Sequence, residues 1–196
     1  MLPPPREPSK FAKSRLNRGV ERHGLSVLLS DARFQAPDLA AKRRIIELLG
    51  NAGIDGTGVF GHQTFDAVMT PTPRPPFTAD TIEGFFDEVT LVEMKTTRKP
   101  IQDAALNGFF FGATEREQAM ATALGARYLF AFVVLNSDNA YGRPFAVLLP
   151  LDEVRRRTRP WRVQYQVNFR SDIEVPPEDD IHQVVVFGRE ADLPPG

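Results

Sequence analysis

Apolar and polar residues follow two patterns along this chain, one with the period of a helix and one typical of strands. A core-facing stripe with helical spacing runs through Leu39, Ala41, Ile45, Leu48 and Leu49. Asp38 precedes this stripe as a predicted N-cap, and Gly50 is predicted to follow its end. Thr114 and Glu117 have the spacing of a capping box, which predicts another helix that ends near Gly125.

Several shorter segments are rich in β-branched and aromatic residues and predict strands. They cover residues 64–69, 89–97, 128–135, 144–149, 161–169 and 181–187. A basic helix is predicted over residues 151–157, and a helix-like pattern over residues 11–30 is interrupted by Gly19 and Gly24. This mixture predicts an α/β or α+β fold around a mixed β-sheet flanked by helices.

The composition limits the classes of protein to consider. The chain has 196 residues, no cysteine and a formal net charge of −1, which excludes disulfides, thiol nucleophiles and a global positive field. No apolar run approaches the roughly 20 residues of a membrane span, so a soluble cytoplasmic protein is expected. We predict an N-terminal arm over residues 1–37, with a proline-rich start and a basic helical segment, a main domain over 38–190, and a tail over 191–196.

Candidate chemistry lies on the predicted strand 89–97. Glu93 and Lys95 are two residues apart, so their side chains project from the same side of the strand. A carboxylate and an ammonium on a buried strand are costly to desolvate. Hydrolysis of a phosphodiester would use such a pair, with the carboxylate on a divalent metal and the lysine orienting or deprotonating the attacking water. An ion pair at the edge of a sheet is the alternative.

A magnesium site requires a second carboxylate, because one acidic ligand rarely holds Mg²⁺ against water. Asp66 is the candidate, since antiparallel pairing of the strands 65–69 and 89–97 would place it across from Glu93. The backbone carbonyl of Met94 and water molecules would complete the metal shell. Asp87 is the rival acid, although its position is also typical of a turn into the strand.

The order of Asp66 followed by Glu93-x-Lys95 is similar to that of the PD-(D/E)xK restriction-endonuclease-like superfamily. Within this superfamily, the chain resembles the NO VEIN C-terminal-like branch more closely. The motifs that carry this resemblance are Val92-Glu93-Met94-Lys95-Thr96-Thr97, Phe109-Phe110-Phe111, Thr114-x-x-Glu117 and Arg127-Tyr128-Leu129-Phe130. The resemblance runs from about residue 38 to residue 151. It implies a restriction-endonuclease-like sheet, Asp66 and Glu93 as metal ligands, and Lys95 as the catalytic lysine. It also implies a supporting carboxylate from the first helix, for which Glu47 is the candidate.

The expected function is therefore a metal-dependent DNA endonuclease in restriction or phage defence, using Mg²⁺, with Mn²⁺ as a substitute. Duplex DNA is the expected partner, and a homodimer would let two sites cut both strands. Local basic residues that could contact phosphates are Arg98, Lys99, Arg155, Arg156 and Arg157. The alternative is a nuclease-like domain that binds nucleic acid or a protein without cutting it.

Overall fold

The structure, a computed structural model, describes residues 10–54 and 61–158, with side chains from residue 18 onward. These residues belong to one compact unit, 1–164, and the second unit, 165–196, lies outside the described residues. The predicted strands 161–169 and 181–187 and the tail 191–196 also lie outside them. Among the described residues, none of the helices has both the length and the apolar character needed to cross a membrane.

A five-stranded mixed sheet with helices on its two faces forms the described fold. The helices are α1 (Lys10–Leu28), α2 (Leu39–Asn51), α3 (Glu115–Leu124) and α4 (Leu151–Arg157). The strands are β1 (Phe34–Gln35), β2 (Ala67–Met69), β3 (Thr90–Thr97), β4 (Tyr128–Val134) and β5 (Phe145–Leu149). The strand order is β1-β2-β3-β4-β5; β3 and β4 are parallel, and the other neighbours are antiparallel. The prediction of helices around a mixed sheet is confirmed.

Some boundaries differ from those predicted. Strand β2 begins at Ala67 rather than at residue 64, because the Thr64 amide and hydroxyl both donate to the carbonyl of Gly61 and hold this segment in a turn. The two-residue strand β1 and a 3₁₀ helix, Ile82–Glu88, in the proline-rich connection were not predicted. Gly50 lies inside α2 rather than after its end, and Gly53, with φ of 72°, takes the left-handed conformation beyond it.

The predicted helix caps are confirmed by hydrogen bonds. The Asp38 carboxylate accepts from the amide of Ala41 at 2.8 Å and caps α2. At the start of α3 the Thr114 hydroxyl accepts from the Glu117 amide, and the Glu117 carboxylate accepts from the Thr114 amide. This reciprocal pair completes the capping box and fixes the position of Glu117 in the first turn of α3.

Two hydrophobic clusters pack against opposite faces of the sheet. One face bears Leu91, Phe130 and Phe132 under α2, α3 and α4, and the other bears Val92, Met94 and Val133 under α1. Because side chains alternate along a strand, Glu93 and Lys95 continue the Leu91 row. The two charged residues therefore occupy positions where this face would otherwise carry apolar core.

Helix α1 is a layer of the domain, although its residues were predicted as an arm. Leu28 is buried with Ala67 and Val92, so α1 packs directly on the sheet. Gly24 lies directly against β3, and a Cβ added there would lie 2.5 Å from the Thr96 hydroxyl oxygen and 3.1 Å from the Met94 sulfur. A glycine is thus required there for close packing of α1 on β3.

We expect Gly24→Ala to lower the free energy of unfolding by about 1–3 kcal/mol, because α1 must move away from β3 to make room for the methyl group. Gly19→Ala is the matched control in the same helix, since nothing lies within 4 Å of the added Cβ. This control should raise stability by about 0.5–1 kcal/mol through helix propensity alone. Urea unfolding of both variants measures the difference.

The contact with Thr96 can be isolated by a double-mutant cycle. Thr96→Ala removes both Thr96 atoms within 3 Å of the added Cβ, so it should recover part of the stability lost in Gly24→Ala. Additive effects of the two substitutions, or equal effects of Gly24→Ala and Gly19→Ala, would contradict the close-packing account.

Candidate functional site

A buried ion cluster on β3 and α3 forms the centre of the candidate site. The Lys95 ammonium donates to the carboxylate of Glu93 at 2.9 Å and to that of Glu117 at 2.7 Å. Both glutamates are only 7% exposed. Strand alternation places Glu93 and Lys95 on the same face, and the capping box brings Glu117 to that face. Lys95 is therefore fixed between two carboxylates instead of extending into solvent.

Asp66 lies immediately before β2 and contacts β3, as the predicted strand pairing requires. Its backbone amide donates to the carbonyl of Val92 at 2.9 Å, and its carboxylate oxygen Oδ2 accepts from the amide of Met94 at 2.9 Å. Asp66 therefore binds the backbone of β3 on both sides of Glu93. Because the N–H and C=O of one strand residue point to the same edge, the Met94 carbonyl also faces this side.

Lys42 of α2 is a second cation beside the site, and its side chain is half-buried. Its ammonium donates to the Phe65 carbonyl at 2.6 Å and lies 5.0 Å from the centre of the Phe65 ring. Burial lowers the pKa of Lys42, and the negative charges of Asp66 and Glu93 counteract this effect. Lys42 thus supports the turn that carries Asp66 and adds positive charge near the two acids.

Charge and burial determine how the cluster is protonated. Burial raises the pKa of Glu93 from 4.5 to about 8; the nearby Lys95 opposes this effect, and the charges of Asp66 and Glu117 add to it. Burial lowers the pKa of Lys95, but the attraction of Glu93 and Glu117 outweighs it, so the net pKa is raised. Lys95 is therefore a persistent cation at neutral pH, whereas Glu93 is the group that can exchange a proton.

The acids line an open cleft of about 650 Å³. It is lined by Asp66, Glu93 and Lys95 and, from α1, by Val20 and Glu21. The helix that contributes an acidic residue to this cleft is therefore α1, through Glu21. Glu47, the predicted supporting carboxylate, lies on the exposed side of α2, where it pairs with Arg44 at 3.1 Å.

The remaining predicted residues lie outside the cleft. Asp87 is exposed near the end of the 3₁₀ helix, which favours Asp66 as the first acid. Arg98 and Lys99 are exposed directly after β3, and Arg155 is exposed in the last turn of α4. The other two basic residues of α4, Arg156 and Arg157, are paired with Glu153.

Sequence reasoning missed Lys42 and explained Glu117 chiefly by its cap, although its helix was expected to lie close to the site. Each of them is a charged residue on the apolar stripe of its helix. Lys42 precedes Ile45 by three residues and Leu49 by seven, and Glu117 precedes Met120 by three. A charged side chain in such a core-facing position is the signal that could have identified both.

The residues present fit a divalent cation bound by few protein ligands. Within the described residues no group of three or more His, Cys, Asp or Glu side chains is arranged to hold a metal ion. Asp66 and Glu93 each use one carboxylate oxygen in a hydrogen bond to a described residue, through Oδ2 and Oε1. The second oxygen of each acid and the Met94 carbonyl are the donors that Mg²⁺ prefers, with water as the remaining ligands.

Comparisons with protein-family models, with curated proteins and with solved structures find no match for this chain. The order of helix, Asp66, the Glu93-x-Lys95 strand, the capping-box helix and an apolar strand is present in the fold. The function of the site is therefore inferred from its geometry and charges.

The raised pKa of Glu93 predicts that stability depends on pH. Between about pH 4.5 and 8 the folded chain holds a proton on Glu93 that the unfolded chain has lost. Stability of the metal-free protein should therefore be greatest below this window and fall as pH rises through it, by at most about 1.4 kcal/mol per pH unit. Thermal unfolding in EDTA at several pH values measures this slope.

Glu93→Gln should flatten the slope, because the amide does not titrate. Glu47→Gln is the control, since this substitution removes a glutamate whose side chain is 62% exposed and lies outside the cluster. The same slope in wild type and Glu93→Gln would show that Glu93 is not the titrating group.

Proposed function

We propose that this chain is a metal-dependent endonuclease that hydrolyses DNA phosphodiesters with a restriction-endonuclease-like fold. The observation that carries the proposal is the Lys95 ammonium held at 2.9 and 2.7 Å between two buried carboxylates, beside Asp66, in an open cleft. A lysine and acids in this arrangement can bind a cation, a water molecule and a phosphate side by side.

Asp66, Glu93 and the Met94 carbonyl would hold one or two Mg²⁺ or Mn²⁺ ions. A bound divalent ion supplies Lewis acidity to the phosphate and lowers the pKa of a coordinated water. The Met94 amide fixes the Asp66 carboxylate at 2.9 Å, so this ligand is oriented before a metal arrives. Loss of the Glu93 proton is the step that makes its carboxylate available.

Lys95 acts in this proposal as a fixed positive charge. Because its pKa is raised, it donates hydrogen bonds rather than removing a proton from water. It orients the attacking water and stabilises negative charge on the phosphate as that charge develops. Glu117 positions Lys95 through the 2.7 Å contact and keeps it charged.

Duplex DNA, a homodimer that cuts both strands, and a role in restriction or phage defence complete the proposal. Arg98 and Lys99 are exposed directly after β3, and in this proposal they contact phosphates of the bound DNA. Arg155 of α4 is exposed in the same way, whereas Arg156 and Arg157 would have to exchange Glu153 for a phosphate.

The test is incubation of the purified protein with plasmid and phage DNA in Mg²⁺, Mn²⁺ or EDTA. Wild type should give discrete fragments in the presence of metal, and Glu93→Gln and Lys95→Ala should each reduce the rate by at least about 10²-fold. Circular dichroism establishes that the variants are folded. Cutting at the wild-type rate by either folded variant would refute the assigned roles.

A second prediction separates the two roles of Glu117. Gln at this position can still complete a capping box, so Glu117→Gln should keep α3 stable while removing the charge that holds Lys95. We expect cleavage to fall by about tenfold or more, with thermal stability close to that of wild type. Thr114→Ala is the converse control, because it weakens the cap by about 1 kcal/mol and leaves the carboxylate in place. Equal loss of cleavage in both variants would assign Glu117 to the cap alone.

A domain that binds nucleic acid or protein without cutting is the second candidate. It is favoured by the absence, in the described part of the chain, of a group of three metal-binding side chains. Thermal shift in Mg²⁺ and Mn²⁺ decides between the two candidates. The enzyme should be stabilised by metal, and Asp66→Asn should remove that effect, whereas the binding domain should respond to neither.

A further inference from the structure

Phe110 is the most exposed large hydrophobic side chain in the described part of the chain, at 82%. Its two neighbours are held firmly: the rings of Phe109 and Phe111 contact the ring of Phe132 edge-on, at 5.2 and 4.9 Å between centroids. Phe132 itself is buried in β4. The segment is thus anchored on both sides of Phe110, and the middle ring is presented to solvent from a fixed base.

The exposed ring belongs to the wall of the cleft. Phe110 and Gly112 line the same space as Asp66, Glu93 and Lys95. Isolated apolar residues on a surface require no explanation, but this one stands at the mouth of a charged site and adds nothing to either core cluster. A flat aromatic face beside acids that can hold a divalent ion fits a ligand that is flat on one side and carries, on the other, a phosphate that the ion would neutralise.

We propose that Phe110 is a stacking platform for the base of an unpaired nucleotide whose phosphate enters the cleft. The inference rests on the metal-dependent cleavage proposed above, but it replaces the duplex at the site with nucleic acid that is single-stranded there. Both faces of a base are covered by its neighbours in a duplex, so an aromatic ring can stack on a base only where the strand is open.

Charge in the cleft supports stacking as the source of affinity. Lys95 is the cation that lines the cleft among the described residues, and it is already paired with Glu93 and Glu117. Phosphate neutralisation by lysine is therefore weak at this point, and contact with the base adds the affinity that a bound metal ion does not supply. Stacking on phenylalanine does not distinguish one base from another, so this contact is tolerant of sequence.

The experiment measures binding separately from cutting. The full chain carrying Lys95→Ala in Mg²⁺ is titrated into a fluorescent single-stranded oligonucleotide and into a blunt hairpin duplex of the same sequence. Adding Phe110→Ala should weaken binding of the single strand by about tenfold or more, because stacking on one aromatic ring accounts for that much, and should leave the duplex unchanged. Phe110→Trp should retain or improve binding.

Tyr141→Ala is the matched control. Tyr141 is an exposed aromatic at 49%, and its ring contacts Phe145 away from the cleft, so its loss should change neither affinity. A direct readout uses Phe110→Trp with Trp161→Phe, which replaces the chain's only native tryptophan. Fluorescence of the new tryptophan should be quenched by the single strand.

The proposal is overturned if Phe110→Ala changes single-strand affinity by less than twofold, or if it weakens duplex binding by the same factor. Absence of binding to both forms by the protein that retains Phe110 also overturns it. Cleavage by the wild-type protein is assayed in parallel. If the wild type cuts DNA but Phe110→Ala does not change single-strand affinity, the stacking role alone is refuted. Binding that depends on Phe110 without any cutting refutes the nuclease alone.

Discussion

The contact of one lysine with two buried glutamates determines how this site is built. Lys95 on β3 meets Glu93 of the same strand and Glu117 of α3, so the sheet and the helix layer are joined by charge as well as by apolar packing. Truncating either glutamate, rather than replacing it with glutamine, would leave Lys95 without that acceptor in a region of low exposure, which is far more costly than the pair is favourable. The cluster is thus weak evidence for a gain in stability.

The local features of the fold could be predicted because they depend on nearby residues. Asp38 and the Thr114 box fix helix starts through side-chain contacts three residues apart, and β3 follows from its run of apolar and β-branched residues. Strand β1 could not be predicted, since two residues have no periodicity and pair only because β2 is beside them. The position of α1 on the sheet depends on Gly24, which by helix propensity alone argues against a helix.

The residues of the site also fall into those that local sequence could predict and those that depend on tertiary packing. Glu93 and Lys95 share a face by strand geometry, and Asp66 reaches them through a strand pairing that the pattern supported. Lys42 and Glu21 come from helices whose approach to the sheet is set by packing across the whole domain. Glu47, the candidate implied by the resemblance, is exposed on α2, and spacing within one helix does not reveal which helix lies over the cleft.

The carboxylate oxygen Oε2 of Glu117 accepts both from Lys95 and from the backbone amide that begins α3. One atom would therefore serve the proposed chemistry and the fold together, and selection for a stable helix would preserve it even in a descendant without that chemistry. Lys95 has no comparable role in capping a helix, since its described side-chain hydrogen bonds go only to the two acids. Among descendants of this chain, retention of the glutamate at position 117 would therefore indicate only a requirement for a stable helix. Retention of the lysine at position 95 would indicate a requirement for function.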